Sequence, residues 1–290
     1  FNGVDLQSVP VGVTYYNLEI IPATGITHDT TGAGTLTVSN LLTFSGAGTF
    51  TPANDISTKG FTQSGGTFNA PATMTVTGDF TRSGGTFTAG TGTVNMQGTV
   101  AQTISGTTSF NNLNIGTTTI ASTVSVESGT VITATNLTIE TTATTKSQLT
   151  LNNGSHSVTG TLTNNGVLIL QGVDAANKAI LNLSTNTTMA GELQMLNASD
   201  LQLNGPISLT INGKIFSPLG ASVKPRILWD GTNRLGVTIN GTSDINGIIF
   251  EGVNSDGVQV SVANVVALNN VEILNPDTLG VMFLTNGATG

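Results

Sequence analysis

Four carboxylates, Asp230, Asp244, Glu251 and Asp256, gather in the last third of this chain, with Arg226 and Trp229 close by in sequence. Two acids facing one groove can protonate a leaving oxygen and activate water, and a neighbouring indole can stack on a sugar ring. That is the chemistry of polysaccharide cleavage. The alternative is that each acid is a solvated turn residue, satisfying nearby backbone amides. With no second feature to tie the acids into a pair, the sequence favours the turn reading, and no catalytic residue is assigned.

The other reactive side chains are sparser still. His28 and His156 each stand alone among Thr, Ser and Gly, which predicts surface or turn histidines, because a metal site needs further ligands nearby. There is no GxSxG elbow, HExxH or P-loop. The chain has no cysteine, so it has neither disulfides nor thiolate ligands. No cofactor and no metal are expected.

Hydroxyl groups are abundant, and their spacing raises a third chemistry, binding to ice. Thr73, Thr75 and Thr77 would project from one face of a strand, with Thr35 and Thr37 on an equivalent one. Ser57 and Lys59 interrupt that series in the coil between. Six Asn-x-Ser/Thr sequons, at Asn136, Asn153, Asn182, Asn186, Asn197 and Asn240, match the roughly seven that chance gives at this Ser/Thr content, so they say nothing about glycosylation.

The elements that would position these groups are strands. Only 8% of the 290 residues are charged and 38% are hydrophobic. Polarity must come from Thr, Ser, Asn and Gln, and Thr favours a pleated, half-buried sheet. The 36 glycines and the Asn-Gly dipeptides at Asn153, Asn165, Asn204, Asn212, Asn240 and Asn246 supply corners where a positive φ is expected. "TLTVSN" (35–40) and "TMTVTG" (73–78) alternate apolar and polar residues, as do "NLTIET", "QLTLNN" and "SLTING". No stretch carries a helical apolar stripe; "VDAANKAILNL" comes nearest and is bracketed by strand pattern. The net charge is −8 and the pI about 4.4. The eight basic residues are scattered singly, which argues against nucleic acid, and no apolar run reaches the ~20 residues of a membrane span.

Repeats organise the strands. "SGGTF" occurs at 64–68 and 83–87, and "SGAGTF" precedes them at 45–50. Phe50, Phe68 and Phe87 form one series near a nineteen-residue period, and Phe44, Phe61 and Phe80 a second. "FNGVDLQSVPVGVTYYNLEI" at the start aligns without gaps on "MQGTVAQTISGTTSFNNLNI" (96–115), at an offset of 95. Five coils of nineteen residues would give that offset and place the two passages at the same coil position. Towards the C-terminus the offsets lengthen: "INGIIFEG" (245–252) matches "LNNVEILN" (268–275) at 23, and "GVTI" (236–239) matches "GVQV" (257–260) at 21. Stacked coils hydrogen-bonded ~4.8 Å apart follow, about 14 of them over roughly 65 Å.

On these residues the chain resembles the pectin-lyase-like β-helix superfamily, and more closely the repeats of large bacterial surface proteins and adhesins. The "G…Q-x-[IV]…[YF]-x-N-L-x-I" passage is the most specific part. The resemblance implies an all-β, right-handed parallel β-helix (β-solenoid) with three sheets and coils of about 19–23 residues. The superfamily's hydrolase motifs (Asn-Thr-Asp, an Asp-Asp pair, Gly-His-Gly, Arg-Ile-Lys) are missing, "RIL" at 226–228 being a fragment of the last, and GGxGxDxUx calcium repeats are absent. A single solenoid domain is expected over 1–290, with shorter Thr/Gly-rich coils in 1–130 and longer ones in 131–290.

Neither end looks capped in sequence. The chain opens on Phe1 inside a strand motif, without a basic-apolar leader, as expected for a processed or excised piece. It closes near "VMFLTNG". Phe1, Val4, Val281, Phe283 and Leu284 are the candidate residues for end-to-end stacking. The expectation is an extracellular or cell-surface structural protein, a self-assembling fibre, sheath or surface-layer subunit, whose partner is another copy of itself. A stalk segment of an adhesin, a polysaccharide lyase or hydrolase, and an ice-binding protein are the alternatives, with carbohydrate or a cell surface as further partners.

Overall fold

Alternation within strands and repetition between them produce the architecture. The structure, a computed structural model, describes residues 1–232, 234–277 and 282–285. It is nearly all β, a parallel β-solenoid of about 12 turns with three sheets. The one helical element among the described residues is the 3-10 turn Val262–Asn264. Contacts divide the chain into two compact units, residues 1–134 with 140–147, and residues 135–139 with 148–290.

In the first unit the third sheet stacks Ser8–Pro10, Thr27–Thr31, Thr49–Thr51, Thr67–Asn69 and Thr86–Thr88 in parallel. The other two sheets share long bent strands. Thr14–Pro22, Leu36–Phe44 and Ile56–Gln63 each run along the first sheet, turn a corner and continue in the second. Register shifts between Tyr15 and Asn17, and between Val38 and Leu41, mark these corners. Beyond them the first sheet carries Thr73–Val76 and Thr93–Met96, and the second carries Phe80–Arg82 and Gln102–Ser105.

The core is a set of columns. Phe50, Phe68 and Phe87 pair in register, and the Phe68 and Phe87 rings stack at 5.8 Å with 5° between their planes. Phe68 is fully buried and also meets Phe44 and Phe61 edge-on. The second phenylalanine series is not a single column. Phe61 and Phe80 continue from Leu42, whereas Phe44 stands between Ile20 and Gln63. Gln63 is fully buried, and its amide donates to the carbonyl oxygens of Gly65 and Thr86, which an apolar residue would leave without that partner.

The matched twenty-residue passages are not at the same coil position. Leu18 heads the column Leu42, Phe61, Phe80 and Ile104. Leu113 belongs to the column of Leu36, Ile56, Met74 and Val94. The copies are displaced by one face. Thr14–Pro22 bends from the first sheet into the second, whereas in Thr108–Ile115 Phe110 packs on Phe87 of the third and Leu113 pairs in the first. What they share is local: a Cβ on Gly3 would lie 2.8 Å from Gln7 Nε2, and one on Gly98 would lie 2.7 Å from Gln102 Cδ. The motif encodes a turn, a short strand and a bent strand, and these fit two different corners.

In the second unit the three sheets are built on Gln148–Leu151, Gly154–Val158 and Thr187–Met189, each continued by in-register parallel strands. Coil length varies more than 19–23: Thr49 to Thr67 spans 18 residues, and Ile215 to Ser243 spans 28. Longer coils account for about 12 turns where nineteen-residue coils imply more. Corners accept the variation, provided the backbone can still approach its neighbour. Gly213 and Gly241 follow Asn, yet neither has a positive φ. A Cβ on Gly213 would stand 1.8 Å from Gly191 O, and one on Gly241 would stand 1.5 Å from Gly213 O, so close stacking is what demands glycine there. Asparagine ladders join successive turns beside these contacts, as where Asn240 Nδ2 donates to Asn212 Oδ1 at 3.0 Å.

Replacing Phe68 with Ala is expected to lower stability by about 3–5 kcal/mol, whereas Thr67→Ala on the outward side of the same strand changes it by no more than about 0.5 kcal/mol. Urea unfolding followed by circular dichroism measures both; equal effects would show that the column is not the source of stability.

Candidate functional site

The four acids proposed for chemistry do not converge. Asp244 lies on Ser243–Asn246, Glu251 on Ile249–Glu251 and Asp256 on Val253–Ser261, strands of three different sheets. Asp230 closes a turn, with Oδ2 accepting from Gly205 N at 2.9 Å and Oδ1 from Thr232 N at 2.8 Å. Trp229 is engaged as well: the Arg234 guanidinium lies 5.0 Å from its ring centroid, and the Gly252 backbone packs against the indole. Stacking on a sugar would have to displace one of them.

A charged cluster does form, around a residue that the motif search passed over. Asp200 is 4% exposed and accepts from Lys178 Nζ at 3.0 Å and from Arg226 Nε and Nη2 at 3.0 and 2.6 Å. Arg226 also reaches Glu251 at 3.5 Å. The hydrogen bonds that Arg226 donates to Asp200 are the main reason its guanidinium pKa is raised. Asp200, Arg226 and Ile249 are register neighbours on one sheet, so the ion pairs staple turns together. The signal was one of spacing, since Asp200 and Arg226 stand one coil apart.

Both histidines are fully buried, against the expectation of surface or turn positions. Each occupies an inward strand position, where alternation leaves no route to solvent. His28 pairs in register with Phe50, and its Nδ1 accepts from Gln7 N at 3.2 Å. His156 pairs with Leu181, and its Nε2 lies 2.9 Å from Asn152 O, which fixes the proton on that nitrogen. Burial pushes the pKa of both imidazoles down. Among the described residues no three His, Asp or Glu side chains gather as a metal would require.

A groove of about 440 Å³ lies in the second unit. Asn186, Arg234, Thr238, Asn254, Asp256 and Gln259 are among its lining residues. Their own bonds limit what they offer a ligand: Asn254 Nδ2 donates to Asp256 Oδ2 at 3.4 Å, and Arg234 donates to the Asn275 carbonyl. The groove presents amides and hydroxyls with one charge of each sign, a surface for holding polar groups rather than for activating them.

Of the stacking candidates, Phe1 and Val4 are 41% and 74% exposed. Phe283 and Leu284 lie in Met282–Thr285, in register with Gln259 and Val260, while Val281 falls outside the described residues. No protein-family model, curated protein or solved structure matches the chain.

Asp200→Ala leaves two cations facing each other and is expected to cost about 3 kcal/mol, whereas Glu251→Ala, at the partly exposed end, costs less than about 1 kcal/mol. Because His156 is held neutral in the fold, the unfolded chain binds a proton there that the folded chain refuses below about pH 6.5. Stability present above that pH is therefore lost as pH falls towards the folded-state pKa. His156→Leu is expected to weaken this dependence between about pH 7 and 5, read as urea midpoints; unchanged curves would contradict it.

Proposed function

We propose that this chain is an extracellular structural protein, a β-solenoid segment that stacks end to end into a fibre, sheath or surface layer. The observation that carries the reading is the first turn. Phe1, Val4, Leu6, Val13 and Tyr16 are exposed there, five of the eleven exposed large hydrophobic residues among those described. Asn2–Gly3 and Ser8–Pro10 each pair on one side only among the described strands. Exposed apolar area beside unpaired strand edges is a surface that a further parallel coil can extend, whether from the same polypeptide or from a second copy.

The natural cover is another parallel coil, which would supply both ladder hydrogen bonds and apolar contacts. A second copy makes a fibre. A further segment of one long polypeptide makes a stalk, the reading favoured by the resemblance to bacterial surface-protein repeats. The sparse charge and the hydroxyl-rich exterior suit a durable external structure of either kind.

Sedimentation velocity over rising concentration, with negative-stain electron microscopy, separates the two. The subunit reading expects concentration-dependent growth into unbranched filaments, abolished in a Val4→Asp/Leu6→Asp variant whose melting is unchanged. A species that stays monomeric at every concentration retires self-assembly, and a lone rod projecting from a larger native protein establishes the stalk.

A further inference from the structure

The third sheet of the first unit is built from short, straight strands that do not turn a corner into another sheet. Its four strand pairings, from Ser8–Pro10 through Thr86–Thr88, carry no register shift. His28, Phe50, Phe68 and Phe87 point inward and are buried, so the residues flanking each of them point outward. One outward row is Thr27, Thr49, Thr67 and Thr86; the other is Asp29, Thr51, Asn69 and Thr88. Six of these eight positions are threonine, and neither row contains a cation or an aromatic residue.

Geometry makes the two rows a grid. Neighbouring rungs stand ~4.8 Å apart, and the rows are separated by two residues of strand, about 6.6 Å. Each threonine is stiff at χ1, so its hydroxyl and methyl are held in place without further cost in side-chain freedom. Asn69 Nδ2 donates to Thr51 Oγ1 at 2.8 Å, which ties one row member to the next. The first sheet does not match this: its outward row reads Thr37, Ser57, Thr75, Asn95 and Asn114, and its bent strands shift register at the corners.

Such a face excludes most partners. It lacks the charge density to draw a polyion and the aromatic platform to stack a sugar. Threonine methyls broken up by hydroxyls do not form the continuous apolar area that a protein interface buries at its core. The complementary surface is uncharged, donates and accepts hydrogen bonds, and repeats in two dimensions. Crystalline water has all three properties. Water held by pre-placed hydroxyls in register has already met the ordering cost of immobilisation. We propose that the Thr27–Thr86 and Asp29–Thr88 rows form an ice-binding face, which lies on the side of a turn and so operates whether or not the ends are stacked.

The test uses the full chain. Thermal hysteresis and inhibition of ice recrystallisation are measured for the native protein, for Thr67→Tyr, which places a bulky ring in the middle of the grid, and for Gln202→Tyr, on an outward row of the second unit that reads Asn182, Gln202 and Leu228. Unchanged circular dichroism and melting certify that both variants are folded. The expected result is activity in the native protein and in Gln202→Tyr, and its loss in Thr67→Tyr. No activity in the native protein, or equal activity in all three, overturns the proposal.

Discussion

Each turn of backbone lies against the one before it at the spacing of a parallel ladder, and every other feature answers to that constraint. Where strands run straight, like side chains stack and fill the core, as Phe68 does on Phe87. Where the chain turns, carbonyl oxygens of adjacent turns come so close that a single Cβ decides whether the stack closes. Gly191, Gly213 and Gly241 stand over one another for this reason, a demand for space and not for an unusual φ. Stability in such an array is approximately a sum over neighbouring turns, so a defect at one corner weakens two interfaces.

This constraint also explains which parts of the fold were legible in the sequence. The "SGGTF" repeat could be read directly, because corner and column there recur with a constant spacing of 19 residues. The offsets of 21 and 23 near Val237 and Ile245 were equally good guides. Phe44 misled because spacing alone does not distinguish a residue stacked on Leu42 from one two positions further along the same strand. The twenty-residue passage misled for a deeper reason. A turn followed by a short strand and a bent strand is a local unit, and two different corners accept it alike. Sequence similarity within a solenoid therefore reports local geometry, while the face is set by the accumulated lengths of the coils between.

The candidate site was less legible, and the causes are electrostatic. In a chain with 8% charged residues, acids close in sequence attract notice as potential catalysts. In three dimensions, neighbours in sequence point to different sheets, while residues one coil apart touch. Asp200 meets Lys178 and Arg226 across spacings of 22 and 26 residues, which a search for short motifs does not sample. The histidines erred in the opposite direction. "THDT" and "SHSV" look polar, but alternation puts each imidazole at an inward position. Thr27 and Asp29 around His28, and Ser155 and Ser157 around His156, mark the outer face, and the pattern itself assigns the histidine to the core.

Once inward positions carry the stability, outward positions are free to differ from sheet to sheet at little energetic cost. The molecule uses that freedom. One sheet of the second unit carries ion pairs across its turns, the third sheet of the first unit carries threonine rows, and the first turn carries exposed apolar side chains. These surfaces rest on cores of the same construction. A pocket enzyme concentrates its chemistry where several elements converge, and the acids show no such convergence. In a solenoid, function is more readily written along faces and at ends, where the regular spacing of the turns turns a single side chain into a row. That repetition gives Thr49, unremarkable on its own strand, its significance beside Thr27, Thr67 and Thr86.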